Sequence, residues 1–198
     1  MKTLYSLPNL ITYFRIAVIP AVFCALMSES EIWSRWVSCI LFFLASVSDY
    51  LDGYFAREMK ASSKLGKFLD PIADKLLVTA VLITLAKTKF LAWYDTAIAA
   101  VIISREIFVS GLREYLGNFH IQMPVSRLAK WKTASQLFAI GFLIFGRNYT
   151  FKYYNSLYDL FCFDVYVTGV CLLLISAALT IATGVQYMKA SFRYMEDE

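Results

Sequence analysis

Residues 49–74 decide how this chain is read. They run Asp49-Tyr-Leu-Asp52-Gly53-Tyr-Phe-Ala56-Arg57, then eight residues, then Gly66-Lys-Phe-Leu-Asp70-Pro-Ile-Ala-Asp74. On a helix, positions 49, 52, 53, 56 and 57 share one face, and positions 66, 70 and 74 form one stripe of the next helix. The short, basic 58–65 connection makes the two helices antiparallel neighbours, so both acidic faces meet at one end of a bundle. Pro71 allows two starts for the second helix: near Asp70, with proline in the first turn, or near Ser63, with a kink. The earlier start is expected, because Asp70 then faces inward from a helix already under way.

The setting of these acids is apolar. Hydrophobic residues make up 59% of the 198-residue chain and charged residues 17%, with a mean hydropathy of +0.58. Soluble proteins carry roughly 45–50% and about 25%, and a soluble chain this small has too little interior to hide the excess. Lipid is the expected solvent, and one domain spanning residues 1–198 is the expected organisation. Six apolar segments approach the roughly 20 residues that cross a bilayer as a helix: 10–27, 33–55, 68–86, 92–112, 128–145 and 161–187. The expected fold is therefore all-α and polytopic, with six transmembrane helices.

Basic residues orient it. With the N-terminus in the cytoplasm, Lys2, Arg57, Lys60, Lys64, Lys67, Arg113, Arg127, Lys130, Lys132, Lys189 and Arg193 lie inside. Arg35, Lys87, Lys89, Arg147 and Lys152 lie outside, a ratio of eleven to five. That is the positive-inside bias, although Lys87 and Lys89 run against it. Both termini are then cytoplasmic, and so is the acidic end of the bundle. The N-terminus has one lysine, a Pro-Asn break and no small-residue cleavage site, so it is expected to be retained. Cys24, Cys39, Cys162 and Cys171 lie in apolar stretches without CxxC spacing and are expected to be buried hydrophobes.

Asp49, Asp52, Asp70, Asp74, Lys75, Arg105 and Glu106 fall within or at the ends of apolar segments. Each costs roughly 2.5–3.5 kcal/mol on insertion scales unless paired, metal-bound or hydrated. Headgroup contact explains one or two such charges, but hardly four acids so close together. Converging carboxylates repel unless cations sit between them, and oxygen-only ligation is the chemistry of hard ions such as Mg²⁺ or Mn²⁺. Two such ions suit an in-line displacement at phosphorus, because they neutralise charge on a diphosphate. Gly53, Ala56 and Gly66 leave room for a ligand against the helices, or serve helix packing. Arg57 can fork onto a phosphate.

The spacing D-x2-D-G-x2-A-R-x8-G-x3-D-x3-D resembles the signature of the CDP-alcohol phosphotransferase family, with every fixed position matched. The resemblance implies that Asp49, Asp52 and Asp70 hold metal, and that Asp74 completes a binuclear Mg²⁺ or Mn²⁺ site and acts as general base. It implies that Gly53, Arg57 and Ser63 meet the CDP moiety, with Ala56 and Gly66 beside it. The opening Pro8-Asn9-Leu-Ile-Thr12-Tyr-Phe-Arg15 resembles the first helix of the bacterial branch that uses glycerol 3-phosphate. Asn9 and Thr12 are thus candidate CDP contacts or helix caps.

Residues 103–114 (Ile-Ser-Arg105-Glu106-Ile-Phe-Val-Ser-Gly-Leu-Arg113-Glu114) and 130–136 (Lys130-Trp-Lys132-Thr133-Ala-Ser-Gln136) resemble the same branch. Arg105 and Arg113, eight apart, share a helical face, and Lys130 and Lys132 approach from a neighbouring helix. Such a basic pocket suits a phosphorylated acceptor; for the lysines the alternative is attraction to anionic headgroups.

The resemblance implies a phosphatidyl transfer from CDP-diacylglycerol to sn-glycerol 3-phosphate, releasing CMP, in a bacterial cytoplasmic membrane and as a homodimer. It weakens beyond about residue 146. A sibling with another acceptor (phosphatidylglycerol, inositol phosphate or serine) differs only in that pocket. A divalent-cation transporter is the remaining alternative, and Arg57 beside the acids argues against it. No nucleic-acid partner is expected. His120 falls in a polar loop, and Glu196-Asp197-Glu198 reads as a solvated tail.

Overall fold

The computed structural model describes the backbone of residues 7–28, 31–59, 64–87, 91–118, 127–146 and 157–196. Side chains are described over residues 10–28, 33–48, 69, 72–87, 91–117, 128–146 and 164–192. All of the regular structure described is helical, in six elements: α1 (Leu7–Met27), α2 (Glu31–Met59), α3 (Lys64–Lys87), α4 (Trp93–Asn118), α5 (Arg127–Phe145) and α6 (Leu157–Glu196). Each expected apolar segment lies inside one of them, save that Ala92 stands one residue before α4. α3 starts at Lys64 and runs on through Pro71, the earlier of the two expected starts.

Two helices outrun their apolar segments. α4 continues to Asn118 and α6 to Glu196, so the tail expected to be solvated begins at the last residue of a helix. Hydropathy marks where apolar residues stop; the helix itself continues through good formers such as Arg113, Glu114, Leu116, Met188 and Ala190.

Packing alternates along the chain. The apolar core is built at the C-terminal ends of α1 (Val18, Val22, Leu26), α3 (Leu77, Val81, Leu85) and α5 (Ala139, Ile140, Leu143). From α2, α4 and α6 it takes residues with polar neighbours further along the chain: Phe42 and Ala45, Ala99 and Ile102, Leu173 and Ala177. Buried polar groups lie toward both ends: Thr12, Arg15, Lys132, Gln136, Thr180, Thr183 and Ser191 toward one, and Ser34, Arg35, Ser38, Thr84 and Asp95 toward the other. The core's alternation between later positions in odd helices and earlier ones in even helices is that of an up-and-down bundle. Within it α1 packs along both α2 and α3, while α6 lies mainly against α5 and secondarily against α4. The chain approaches α6 closely at Gly146, just after α5, where an added Cβ would stand 2.8 Å from the backbone of Tyr166.

The outside of the bundle is apolar as well. Leu10–Met27 and Asp164–Phe192 are each long and apolar enough to cross a membrane, with mean hydropathies of 2.0 and 2.3. Only 28% and 33% of those windows is buried, so their apolar surface mostly faces outward. A shorter apolar stretch occupies Trp33–Ser48 of α2. Exposed tryptophans sit near both ends of the bundle: Trp33 (74% exposed) and Trp93 (83%) at one, Trp131 (70%) at the other. That is the arrangement of aromatic residues at two membrane–water interfaces.

The pole bearing Trp93 holds a polar device that sequence reasoning missed. Asp95 is fully buried in the first turn of α4, and its Oδ2 accepts from the N–H of Ala92 at 3.3 Å and the hydroxyl of Tyr166 at 3.2 Å. The carboxylate thus reaches back to the residue before the helix, half of a capping box, while tying α4 to α6. Asp95→Ala is expected to cost about 1–3 kcal/mol by leaving buried donors unpaired. Thermal unfolding in detergent would register this as a lower melting temperature, while the KM values of surviving protein stay unchanged.

Candidate active site

A cavity lies between α3, α4 and α5. Its walls carry Asp74 and Lys75 with Val78 and Thr79 from α3, Ile103 and Glu106 from α4, and Thr133, Gln136 and Leu137 from α5. The spacings explain the convergence. Asp74 and Val78 are four apart, Ile103 and Glu106 three apart, and Thr133, Gln136 and Leu137 three and four apart, so each set is one helical face. The i, i+3, i+4 pattern that makes an apolar seam elsewhere here delivers charged and amide groups to a common space.

Lys132 is 5% exposed and forms an ion pair with Glu106, across from α5 to α4. Asp74 and Arg105 also act electrostatically on Lys132, which places the four groups in one neighbourhood. A buried pair of this kind holds only if the partners satisfy each other, since either one alone would be an uncompensated charge. Lys130, two residues earlier, points outward and is exposed.

Arg105 and Arg113 lie on one face of α4, as their spacing requires, and both turn to α6. Arg105 Nη2 donates to Thr183 Oγ1 at 2.6 Å, and Arg113 Nη2 donates to the hydroxyl of Tyr187. The Tyr187 ring lies between them, 5.9 Å from the Arg105 guanidinium carbon and 4.6 Å from that of Arg113. Cation–π attraction adds to the hydrogen bonds at these distances. Gly184 makes the approach possible, because a Cβ there would stand 3.3 Å from Arg105 Cγ. Arg105 Nε is buried and makes no hydrogen bond to the described residues. None of Thr183, Gly184 and Tyr187 was singled out from sequence. A Thr-Gly dipeptide followed by a tyrosine within an apolar span was the only available signal.

The other expected site residues stand as follows. Asp49, Asp52, Gly53, Ala56 and Arg57 are in the C-terminal half of α2, and Gly66 and Asp70 are at the start of α3, with Asn9 in the first turn of α1. Their side chains lie outside the described residues, and Ser63 and His120 lie outside altogether. Thr12 is buried in α1, one turn before the fully buried Arg15. Among the described residues no group of three or more His, Cys, Asp or Glu side chains is assembled; Asp74 is the one member of the acidic set whose side chain is described. Cys24 and Cys171 are exposed and Cys39 is partly so, not the buried hydrophobes expected; Cys162 lies outside the described side chains. On an apolar exterior an exposed thiol faces the same surroundings as its aliphatic neighbours.

A helical bundle with an apolar exterior and a charged chamber at one pole defines a class of protein suited to a membrane and to a polar substrate. Comparison resolves the class further. Residues 5–182 match the model of the CDP-alcohol phosphatidyltransferase family, and the chain belongs to that family. It is 41% identical over 194 residues to the CDP-diacylglycerol–glycerol-3-phosphate 3-phosphatidyltransferase of Rickettsia bellii, covering 98% of this chain and 99% of the relative. The protein of that name from Cereibacter sphaeroides is 34% identical over 218 residues, covering 98% and 99%. An Arabidopsis thaliana protein, CDP-diacylglycerol–glycerol-3-phosphate 3-phosphatidyltransferase 2, is 34% identical over 201 residues, covering 96% and 81%.

Proposed function

We propose that this chain transfers the phosphatidyl group of CDP-diacylglycerol to sn-glycerol 3-phosphate, giving phosphatidylglycerophosphate and CMP. The observation that carries the assignment is the pairing of two features at one pole of the bundle. Asp74 lines a cavity with Glu106 and Gln136, and Arg105 and Arg113 of the adjoining α4 are held by Thr183 and Tyr187 of α6. The relatives, whose names specify this donor and acceptor, support the same choice over the sibling acceptors.

In this scheme Asp74 accepts the proton of the C1 hydroxyl, whose oxygen bonds to the β-phosphorus. The bond from that phosphorus to the CMP oxygen breaks, and CMP departs. Asp49, Asp52, Asp70 and Asp74 form an all-oxygen donor set on consecutive helices, which fits a hard divalent cation. Bound there, Mg²⁺ or Mn²⁺ ions would neutralise the diphosphate and stabilise the leaving group. Arg57, with Gly53, Ala56, Ser63 and Gly66, would take the CDP moiety at the same pole, with Asn9 and Thr12 from α1. Arg105 and Arg113 would hold the acceptor phosphate, whose oxygens would satisfy the unpaired Arg105 Nε. Lys130 and Lys132 would lie at the same pole, Lys130 exposed and Lys132 with its charge balanced by Glu106.

The chain would act as a single domain with six membrane spans and both termini in the cytoplasm of a bacterium. The chamber would open to the cytoplasm, and a homodimer is expected from the family resemblance. Purified protein in vesicles separates an enzyme from an ion carrier: CMP release from CDP-diacylglycerol and glycerol 3-phosphate is expected, without metal uptake. Uptake of Mg²⁺ or Mn²⁺ with no CMP release would overturn the assignment.

Arg105→Ala and Arg113→Ala are expected to raise the KM for glycerol 3-phosphate about tenfold or more, since a charged hydrogen bond contributes roughly 1.5–3 kcal/mol. The KM for CDP-diacylglycerol should change much less. Tyr187→Phe, which keeps the ring and removes the acceptor hydroxyl for Arg113, should raise the KM less than the arginine changes do. A parallel loss toward both substrates would indicate a folding defect and count against the phosphate site.

A further inference from the structure

We infer that Gln136 recognises the C2 hydroxyl of the acceptor, and so selects a vicinal diol phosphate over a simple hydroxyalkyl phosphate. The inference rests on the proposed transferase reaction and adds to it a residue that decides specificity.

Gln136 is 3% exposed and lines the same cavity as Asp74. Its Oε1 is buried and makes no hydrogen bond to the described residues. Two neighbouring polar groups of the wall are already engaged: Glu106 with Lys132, and Thr133 Oγ1 with the carbonyl of Ala129 at 3.1 Å. Buried polar atoms are rarely left unsatisfied, so a side-chain amide that lines a polar cavity and carries an orphaned oxygen implies a partner that arrives there. The cavity, about 40 Å³, has room for the equivalent of roughly three waters. That is room for the CHOH–CH₂OH end of a small acceptor.

Chemistry then fixes which hydroxyl meets which group. The reacting hydroxyl must reach Asp74. The only other hydroxyl of glycerol 3-phosphate is on the adjacent carbon, so its partner must stand in the same small space. A hydroxyl both donates and accepts, as an amide does, so the pair forms whichever end of the amide faces it. Apolar residues at 136 would leave the C2 hydroxyl buried without a partner. An acceptor lacking that hydroxyl would leave Gln136 unpaired instead, and sites built to bind a hydroxyl reject such analogues for this reason.

The probe is 3-hydroxypropyl phosphate, which keeps the reacting hydroxyl and the phosphate and lacks only the C2 hydroxyl. CMP release by the purified full chain with CDP-diacylglycerol gives kcat/KM for each acceptor. Wild type is expected to favour glycerol 3-phosphate by about tenfold or more. Gln136→Met keeps length and removes the amide, and should bring the ratio to within about threefold, mainly by lowering the rate with glycerol 3-phosphate. Because the measure is a ratio within one preparation, partial loss of folded protein does not move it. Gln136→Asn, which withdraws the amide by one methylene, serves as the second variant and should also reduce the ratio. An unchanged ratio in both variants, or no preference in wild type, overturns the inference while leaving the transferase assignment intact. Absence of CMP release with glycerol 3-phosphate in wild type would instead overturn the assignment, and this inference with it.

Discussion

Replacing Asp49 or Asp70 by Asn should reduce CMP release to background at saturating CDP-diacylglycerol and glycerol 3-phosphate. Each is proposed to donate a carboxylate oxygen to a metal held between α2 and α3, and an amide supplies neither the negative charge nor the same affinity. Removing one preorganised stabiliser of developing charge typically costs about 10²–10³-fold in rate, and loss of an ion would add to it. Asparagine keeps the size and shape of aspartate, so protein yield and melting temperature should stay close to wild type. Near-normal turnover by either variant, at any Mg²⁺ or Mn²⁺ concentration, would remove the four-carboxylate site from the account.

Asp74→Asn should separate catalysis from binding. If Asp74 takes the proton of the attacking hydroxyl, its loss lowers kcat by about 10²–10⁴-fold, the usual contribution of general-base catalysis. Binding of CDP-diacylglycerol should fall much less, because the remaining carboxylates and Arg57 are unchanged. The geometry favours this split. Asp74 lines a cavity with Glu106, Thr133 and Gln136, on the side of α3 facing α4 and α5 rather than α1. A lipid-binding defect as large as the rate defect would make Asp74 a ligand and remove its role as base.

What sequence could supply depended on the range of each interaction. Apolar runs and i+4 spacing placed all six helices, and the 49–74 motif placed the acids on α2 and α3, because both signals are local. Helix ends were less legible. α4 and α6 run past their apolar segments through residues such as Arg113 and Lys189 that form helix as readily as loop. Pro71 was ambiguous for the opposite reason, since proline fits either a first turn or an interior site, and only the whole bundle decides. Long-range pairs were not legible at all. Glu106 and Lys132 stand 26 residues apart, and Asp95 and Tyr166 stand 71 apart. Sequence reasoning assigned Arg105 and Arg113 to an acceptor pocket yet gave α6 no part in it. Thr183 and Tyr187, 78 and 74 residues further on, are what hold those arginines.

The most direct measurement uses purified protein in detergent with CDP-diacylglycerol, Mg²⁺ or Mn²⁺, and a panel of acceptors. The panel comprises glycerol 3-phosphate, glycerol, serine, inositol phosphate and phosphatidylglycerol, with CMP release as the readout. The account predicts rapid release with glycerol 3-phosphate alone, phosphatidylglycerophosphate as the lipid product, and little or none with glycerol. Equal rates with glycerol and glycerol 3-phosphate, or a preference for any other acceptor, would contradict it.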